Sequence, residues 1–252
     1  MNGIAATRDG AVLTLAFARP ERRNALDNAA YGELAAQLRA AASDASLAAV
    51  ILTGTGGQFT AGNDLRDFQA ERPPGDSPAL GFLRALVDLD VPVLAAVEGH
   101  AVGIGVTLLQ HCDFVYVAEN ATLRMPFTAL GLCPEGASSL LMARLAGARR
   151  AAEWLLLGRA FDARQACEAG LATAATPPGE ALAAAQSAAR ELCALPPAAL
   201  RASKALMRRA ERADIHATLD EEAEQFRQRL ASPEAQQAFA RFLGKRGDKP
   251  AS

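Results

Sequence analysis

The sequence predicts an α/β fold, because strand-like apolar runs alternate with segments that have helical spacing of apolar residues. The strand-like runs are residues 12–17, 49–53, 92–97, 113–118 and 122–125. The helical segments between them are residues 27–42, 79–89 and 103–110. From residue 137 the chain is mostly helical, and after Pro196 it is entirely so.

Local signals fix several boundaries of these elements. Pro20 ends the first strand, and Asp27 is a plausible N-cap for the helix that follows. Residues 54–62 form a glycine-rich loop after the second strand, and residues 72–75 (RPPG) form a proline-rich loop that we expect to be mobile.

The chain divides into a core, residues 1–196, and a helical C-terminal region, residues 197–252. Two helices of that region, residues 215–230 and 233–242, have apolar stripes too narrow for an independent domain. We therefore expect them to pack on the core or on another subunit.

Composition excludes several functional classes. The formal net charge of −2 gives no reason to expect a nucleic-acid partner. No signal peptide is visible and no apolar run could span a bilayer, so we expect a cytoplasmic protein with no membrane partner. Four cysteines without a CxxC pair and only three histidines predict reduced thiols and no metal site.

Two glycine-containing motifs carry the strongest functional signal. Residues 61–64 (AGND) and 99–105 (GHAVGIG) each lie where a loop leads into a helix after an apolar run. Glycine permits close approach of the backbone to a ligand, and helix starts offer free N–H groups. Two such segments could aim two backbone donors at one oxygen, as an oxyanion hole requires.

Together with residues 19–26 (RPERRNAL) and the C-terminal residues 242–246 (FLGKR), these motifs resemble the crotonase (enoyl-CoA hydratase/isomerase) superfamily over nearly the whole chain. The resemblance implies a spiral of ββα units with a helical C-terminal region, a homotrimer or dimer of trimers, and a role in fatty acid metabolism. It implies an acyl-CoA thioester as substrate, with coenzyme A entering as part of that substrate and no separate cofactor.

The resemblance assigns the oxyanion-hole donors to the backbone N–H groups of Asn63 and Ile104. The alternative is that both segments are only tight turns. Asp64 comes directly after the donor Asn63 and is a further candidate for substrate contact. For its carboxylate we favour capping of a short helix behind the loop over a catalytic role.

Hydration in this superfamily uses two glutamates that activate a water, and both positions are changed. The resemblance places them at Thr107 and at Phe127, which follows Pro126. Neither side chain can act as a general base near neutral pH, so two-glutamate hydration is not expected.

A different carboxylate lies nearby in the sequence. Residues 131–139 (GLCPEGASS) resemble the segment of Δ3,Δ2-enoyl-CoA isomerases in which a Pro-Glu-Gly turn supplies the base, which here is Glu135. Phe127, Leu130 and Leu132 would form an apolar wall that raises the basicity of this carboxylate and excludes water. The alternative is that Glu135 is an acidic residue in the first turn of a helix, where the helix dipole favours it.

The resemblance also suggests contacts to coenzyme A. Arg22, Arg23 and Lys245 are candidates for its phosphates, although exposed surface charges are the simpler interpretation of each. Ala25 lies in the adjoining turn, and Ala61 would offer backbone groups to the adenine side of the pocket.

Three functions therefore remain open. The first is a Δ3,Δ2-enoyl-CoA isomerase that uses Glu135. The second is another crotonase-type reaction, as a hydratase (lyase), hydrolase or decarboxylase. The third is a catalytically inactive protein that binds acyl-CoA. The retained hole donors and the nearby acid favour an enzyme.

Overall fold

The computed structural model describes residues 3–67 and 77–247, with side chains described up to Arg241. Its strands, in chain order, are β1 (Ile4–Asp9), β2 (Val12–Phe17), β3 (Ala49–Gly54), β4 (Val93–Val97), β5 (His100–Val102), β6 (Phe114–Ala118), β7 (Thr122–Arg124) and β8 (Ala174–Thr176). Six of them form a sheet in the order β1-β2-β3-β4-β6-β8, in which only β1 is antiparallel to its neighbour. The other two, β5 and β7, form a parallel pair.

Ten helices accompany the strands in the described part of the chain. They are α1 (Asn28–Ser43), α2 (Pro78–Asp88), α3 (Ile104–Thr107), α4 (Ser138–Ala146), α5 (Ala148–Leu155), α6 (Ala163–Glu168), α7 (Ala181–Cys193), α8 (Pro197–Arg208), α9 (Arg212–Leu230) and α10 (Pro233–Gly247). Short 3-10 helices occupy Pro20–Arg22, Leu108–His111 and Thr128–Leu130.

The large sheet is covered on both faces, and the side-chain alternation in β3 shows how. Val50 and Leu52 belong to the main core, which includes buried residues of α1 and α2. Ala49 and Ile51 point to the other face, where they join a smaller cluster with α7. Because side chains alternate along a strand, the apolar residues 49–52 of β3 can pack in both layers.

The α/β prediction is confirmed, and most predicted elements lie where they were expected. Asp27 caps α1 by accepting a 2.9 Å hydrogen bond from the N–H of Ala30. The predicted helix 103–110 is α3 followed by a 3-10 turn, Leu108–His111. The division after residue 196 stays a prediction, and the predicted loop 72–75 lies outside the described residues.

Three strands were not predicted. β1 has mostly exposed side chains, so it lacks the apolar alternation that predicts a half-buried strand. β5 and β8 have three residues each, and Ala174–Thr176 is alanine-rich within an otherwise helical region. Residues 137–196 are therefore less uniformly helical than the sequence suggested. In the two described ranges, no helix combines the length and apolarity needed to cross a bilayer.

Candidate active site

The RPERRNAL segment folds around the side chain of Asn24. This side chain is 1% exposed, accepts a hydrogen bond from the N–H of Arg19 and donates to the carbonyls of Thr55 and Gln58. The carbonyl of Asn24 accepts a 2.7 Å hydrogen bond from the hydroxyl of Thr60. Asn24 therefore ties the turn after β2 to the loop that leads into the AGND motif.

The two glycine motifs run side by side. Thr60 pairs in parallel with Ala101, since its N–H donates to the carbonyl of His100 and its carbonyl accepts from the N–H of Val102. Further along, Gly62 lies against the carbonyl of Val102. The predicted hole donors Asn63 and Ile104 follow this contact by one and two residues on the two segments.

Glycine is required where these segments touch. A Cβ atom on Gly62, which has a φ of +83°, would lie 2.5 Å from the carbonyl oxygen of Val102. A Cβ atom on Gly105 would lie 2.6 Å from Cγ2 of Thr60. Any side chain at either position would force the two motifs apart.

The N–H groups of Asn63 and Ile104 have no hydrogen-bond acceptor among the described residues. In residues 3–67 and 77–247, neither group donates to a backbone carbonyl or a side chain. The neighbouring N–H groups of Asp64 and Gly103 are used, since they donate to the carbonyls of Leu26 and Arg124. The side chain of Asn63 accepts a 2.6 Å hydrogen bond from the hydroxyl of Tyr31 on α1.

Glu135 lies beside α3, the helix that begins at Ile104. The hydroxyl of Thr107 donates a 2.6 Å hydrogen bond to Oε1 of Glu135. Thr107 is one helical turn after Ile104, about 5 Å along the helix axis. The carboxylate of Glu135 therefore lies against α3, the helix that begins with the predicted donor Ile104.

The environment of Glu135 favours its protonated form. Glu135 is partly exposed as a residue, yet loss of hydration around its carboxyl group is the main cause that raises its pKa to about 8. The hydrogen bond from Thr107 lowers the pKa, and the negative charge of Glu222 raises it. A carboxylate with this basicity is suited to exchanging protons near neutral pH.

The turn that carries Glu135 is held from three sides. The ring of His111 contacts the carbonyl of Gly136 at 2.8 Å, and burial lowers the histidine pKa to about 4, so the ring is neutral and donates. Glu222 on α9 accepts from the N–H groups of Ala137 and Ser139 at 2.6 and 2.8 Å. The hydroxyl of Ser138 donates to the carbonyl of Glu135 itself.

Two residues of the predicted apolar wall lie close together, and their contact with Glu135 stays a prediction. Phe127 and Leu132 are both buried, and the N–H of Leu132 donates to the carbonyl of Phe127. A Cβ atom on Gly103 would lie 3.8 Å from the ring of Phe127. Phe127 therefore lies next to the residue that precedes Ile104.

The candidate contacts for coenzyme A are partly described. Arg22 is half-buried and Arg23 exposed, and neither side chain forms an ion pair with a described residue. The N–H of Ala61 donates to the carbonyl of Arg23, and the carbonyl of Ala25 accepts from Arg19. Lys245 lies in α10 beyond the described side chains. Their roles toward coenzyme A stay predictions.

The predicted capping role of Asp64 stays a prediction, because the residues after 67 that a short helix would need lie outside the described ranges. Residues 65–67 form a turn and no described helix begins there. The carboxylate of Asp64 accepts a hydrogen bond from the N–H of Arg66, and it lies 3.4 Å from the guanidinium of Arg19.

Four contributors to the site were missed in the sequence. Tyr31 matches the apolar stripe of α1, and Glu222 lies on a helix rich in charges, so neither stood out. Thr107 was considered only as a lost glutamate, and His111 gave no signal. Within the described ranges, no group of His, Cys, Asp or Glu could hold a metal ion.

Comparison with known proteins finds similar sequences over nearly the whole chain. Residues 7–249 match the family model described as enoyl-CoA hydratase/isomerase. Human "Enoyl-CoA delta isomerase 2" is 34% identical over 95% of this chain, which spans only 63% of that relative. The "2,3-dehydroadipyl-CoA hydratase" of Escherichia coli K12 is 32% identical over 98% of this chain and 97% of its own length.

A solved structure extends the similarity to the fold. The structure titled "Structure of Pseudomonas aeruginosa OdaA" superposes with a TM-score of 0.93 at 42% identity, covering 96% of this chain and 99% of its own. The match includes both the mixed α/β core and the helical C-terminal region.

Proposed function

The chain belongs to the enoyl-CoA hydratase/isomerase family, and we propose that it is a Δ3,Δ2-enoyl-CoA isomerase with Glu135 as its only base. The observation that carries this proposal is the pairing of Glu135 with Thr107 beside the free N–H of Ile104. This arrangement brings a carboxylate of raised pKa close to a backbone N–H that could stabilise an enolate oxygen.

The reaction needs one group that both takes and returns a proton. The thioester carbonyl oxygen of a 3-enoyl-CoA accepts hydrogen bonds from the N–H groups of Asn63 and Ile104. Ionised Glu135 removes a proton from C2, and the negative charge spreads over a dienolate whose oxygen the two donors stabilise. The protonated Glu135 then delivers that proton to C4, so the double bond moves from C3–C4 to C2–C3 and the base is regenerated.

Water addition is disfavoured by what surrounds this base. A hydratase needs two carboxylates free to hold and activate one water. The second carboxylate near this site, Glu222, uses both oxygens to accept backbone hydrogen bonds. Thr107 and Phe127 stand where the family resemblance expects the two glutamates, and the buried Phe127 is apolar.

The test pairs Glu135→Gln with two substrates. Because Gln keeps the shape and loses the basicity, we expect turnover of a 3-enoyl-CoA to fall about 10²–10⁴-fold while the Kd for acyl-CoA changes little. Glu153→Gln is the control, since Glu153 is exposed and paired only with Arg159.

Three results would contradict the proposal. Strong hydration of a 2-enoyl-CoA that survives Glu135→Gln would favour a hydratase, as in the Escherichia coli relative. Binding of acyl-CoA without turnover of either substrate would favour an inactive binding protein. Turnover of another acyl-CoA by hydrolysis or decarboxylation would favour a third reaction of the superfamily.

A further inference from the structure

A second carboxylate reaches the site from the C-terminal region. Glu222 lies on α9, is 6% exposed and points toward the start of α4. Its Oε2 accepts from the N–H of Ala137, and its Oε1 accepts from the N–H of Ser139. A glutamate buried this deeply requires such partners, because an unpaired buried charge is costly.

These contacts fix the segment that carries the base. Ala137 is two residues after Glu135 and has a φ of +58°, a left-handed conformation that an alanine adopts only when its surroundings hold it there. Ala137 is the N-cap residue of α4, and its methyl side chain cannot accept a hydrogen bond from the first N–H groups of the helix. Glu222 takes that role by accepting from the N–H groups of Ala137 and Ser139. Glu222 therefore fixes the backbone just after Glu135, at residues 137–139.

The two carboxylates differ in how their charge is stabilised. Two backbone N–H groups at the start of α4 stabilise negative charge on Glu222. Glu135 receives one hydrogen bond, from a neutral hydroxyl. Burial raises the pKa of Glu222, and the hydrogen bonds from Ser139 and Ala137 oppose this rise. With two backbone donors against one hydroxyl, Glu222 ionises before Glu135, and its charge then opposes ionisation of Glu135.

We propose that Glu222 is a positioning residue for Glu135, holding the turn that carries it and keeping a second negative charge beside it. This inference rests on the isomerase function proposed above. Each time Glu135 takes up the substrate proton, the repulsion between the two carboxylates is relieved, so Glu222 makes Glu135 a stronger base.

Among the titratable groups around Glu135, Glu222 is the main source of negative charge acting on that carboxylate. Those nearest are Tyr31 on α1, His111 after α3, Cys133 before the turn and Arg229 on α9. Burial favours the neutral forms of the first three, raising the pKa of Tyr31 and of Cys133 and lowering that of His111. Arg229 donates to the carbonyl of Gly131 and pairs with Glu234 on α10.

The charged groups elsewhere along α9 pair with each other or with neighbouring elements. The pairs are Arg84 with Asp220, Asp88 with His216, Asp90 with Arg212, Arg144 with Glu211 and Asp214, Glu224 with Arg227, and Glu221 hydrogen-bonded to Gln225. The exposed Glu221, one residue before Glu222, therefore supplies a matched control for the loss of one negative charge from α9.

The experiment compares Glu222→Gln and Glu221→Gln with the unmodified protein over pH 5 to 10. For Glu222→Gln we expect the acid limb of kcat/KM to move to lower pH by about half a unit to one unit, because the opposing charge is gone. We expect the plateau of kcat to fall about 2–10-fold, since the base is weaker and less firmly held, with KM unchanged. Glu221→Gln should leave both unchanged.

A purely structural role would give a different result. It would lower the midpoint of thermal unfolding and the whole kcat profile without moving the acid limb, and that result would overturn the proposal. Should Glu222→Gln not fold, Glu222→Asp retains the charge and shortens the reach, so kcat should fall about 2–10-fold with the acid limb in place. Unchanged kcat in folded Glu222→Asp would count against the proposal.

A direct titration separates this inference from the isomerase proposal. Infrared difference spectra can follow the carboxyl band of Glu135, assigned by its loss in Glu135→Gln, without any substrate. A lower titration midpoint in Glu222→Gln supports the positioning role even if no isomerisation is found. An unchanged midpoint refutes it even if the protein is an isomerase.

Discussion

The hydroxyl of Tyr31 on α1 donates a 2.6 Å hydrogen bond to Oδ1 of Asn63, whose own main-chain N–H has no partner among the described residues. The phenol is 2% exposed, and its ring packs 5.9 Å from the ring of Phe82. A rigid helix thus orients the residue that we propose as one of the two oxyanion donors.

Tyr31→Phe tests this relationship. The substitution keeps the ring packing and removes the hydrogen bond, so the orientation of Asn63 is held less firmly. We expect kcat on a 3-enoyl-CoA to fall about 10-fold with little change in KM, because the donor acts mainly on the dienolate. Tyr116→Phe, on β6 and away from the site, should leave kcat unchanged. Equal kcat values in both variants would contradict the assignment.

Thr107→Val tests the hydrogen bond to Glu135. Since that bond lowers the pKa of Glu135, its loss should raise the pKa further above about 8. The base must be ionised to act, so kcat/KM at pH 7 should fall about 3–10-fold while the plateau at high pH changes little. Thr218→Val is the control, since Thr218 is a half-buried threonine on α9 whose hydroxyl donates to the carbonyl of Asp214. An acid limb that stays in place would show that the hydroxyl does not tune this carboxylate.

Glu135→Gln should also change stability with pH. The folded protein holds the Glu135 proton with a pKa of about 8, against an ordinary value of 4.5. Between these values the folded state binds more protons than the unfolded state, so the free energy of unfolding falls as pH rises. The Gln variant carries no such charge, so it should exceed the parent in stability at pH 9.

The expected gain for Glu135→Gln at pH 9 is about 1–3 kcal/mol, reduced from the full linkage value because Glu135 is partly exposed. The gain should largely disappear at pH 5, where both proteins are neutral at this position. Urea unfolding at the two pH values measures it. A gain of the same size at both would mean that the charge of Glu135 is not its source.

Gly62→Ala tests the close approach of the two glycine motifs. The new Cβ atom would lie 2.5 Å from the carbonyl oxygen of Val102, at a φ that alanine adopts with strain. We expect a loss of about 1–3 kcal/mol in the free energy of unfolding and a fall in kcat as Asn63 is displaced. Gly32→Ala is the control, since it meets nothing within 4 Å inside α1 and should stabilise the fold by up to about 1 kcal/mol. A fully active Gly62→Ala would argue against the paired hole.

Assembly into a homotrimer or a dimer of trimers stays a prediction. Leu206 and Met207 on α8 are 71% and 76% exposed, which is unusual for adjacent large apolar residues. We expect light scattering to give three or six times the mass of one chain, and Met207→Glu to reduce it. A stable, active monomer at micromolar concentration would contradict the prediction.

The sequence predicted the elements whose signals are local. A few neighbouring residues are enough to predict the N-cap at Asp27, the largely apolar β3 and the glycine motifs. The contacts around Glu135 could not be predicted in this way, because the partners are distant in the chain. Thr107 is 28 residues away and Glu222 is 87 residues away, and a buried carboxylate looks like a surface one when only its neighbours are considered.

The hydrogen bond from Ala137 to Glu222 joins residues 85 positions apart. Closing a loop of that length is slow compared with forming a helix, because the entropy must be lost before the contact is made. During refolding, helix content and the large sheet should therefore return before α9 docks on the start of α4. Recovery of the native Glu135 environment is consequently a late folding event, and it reports on completion of the C-terminal region.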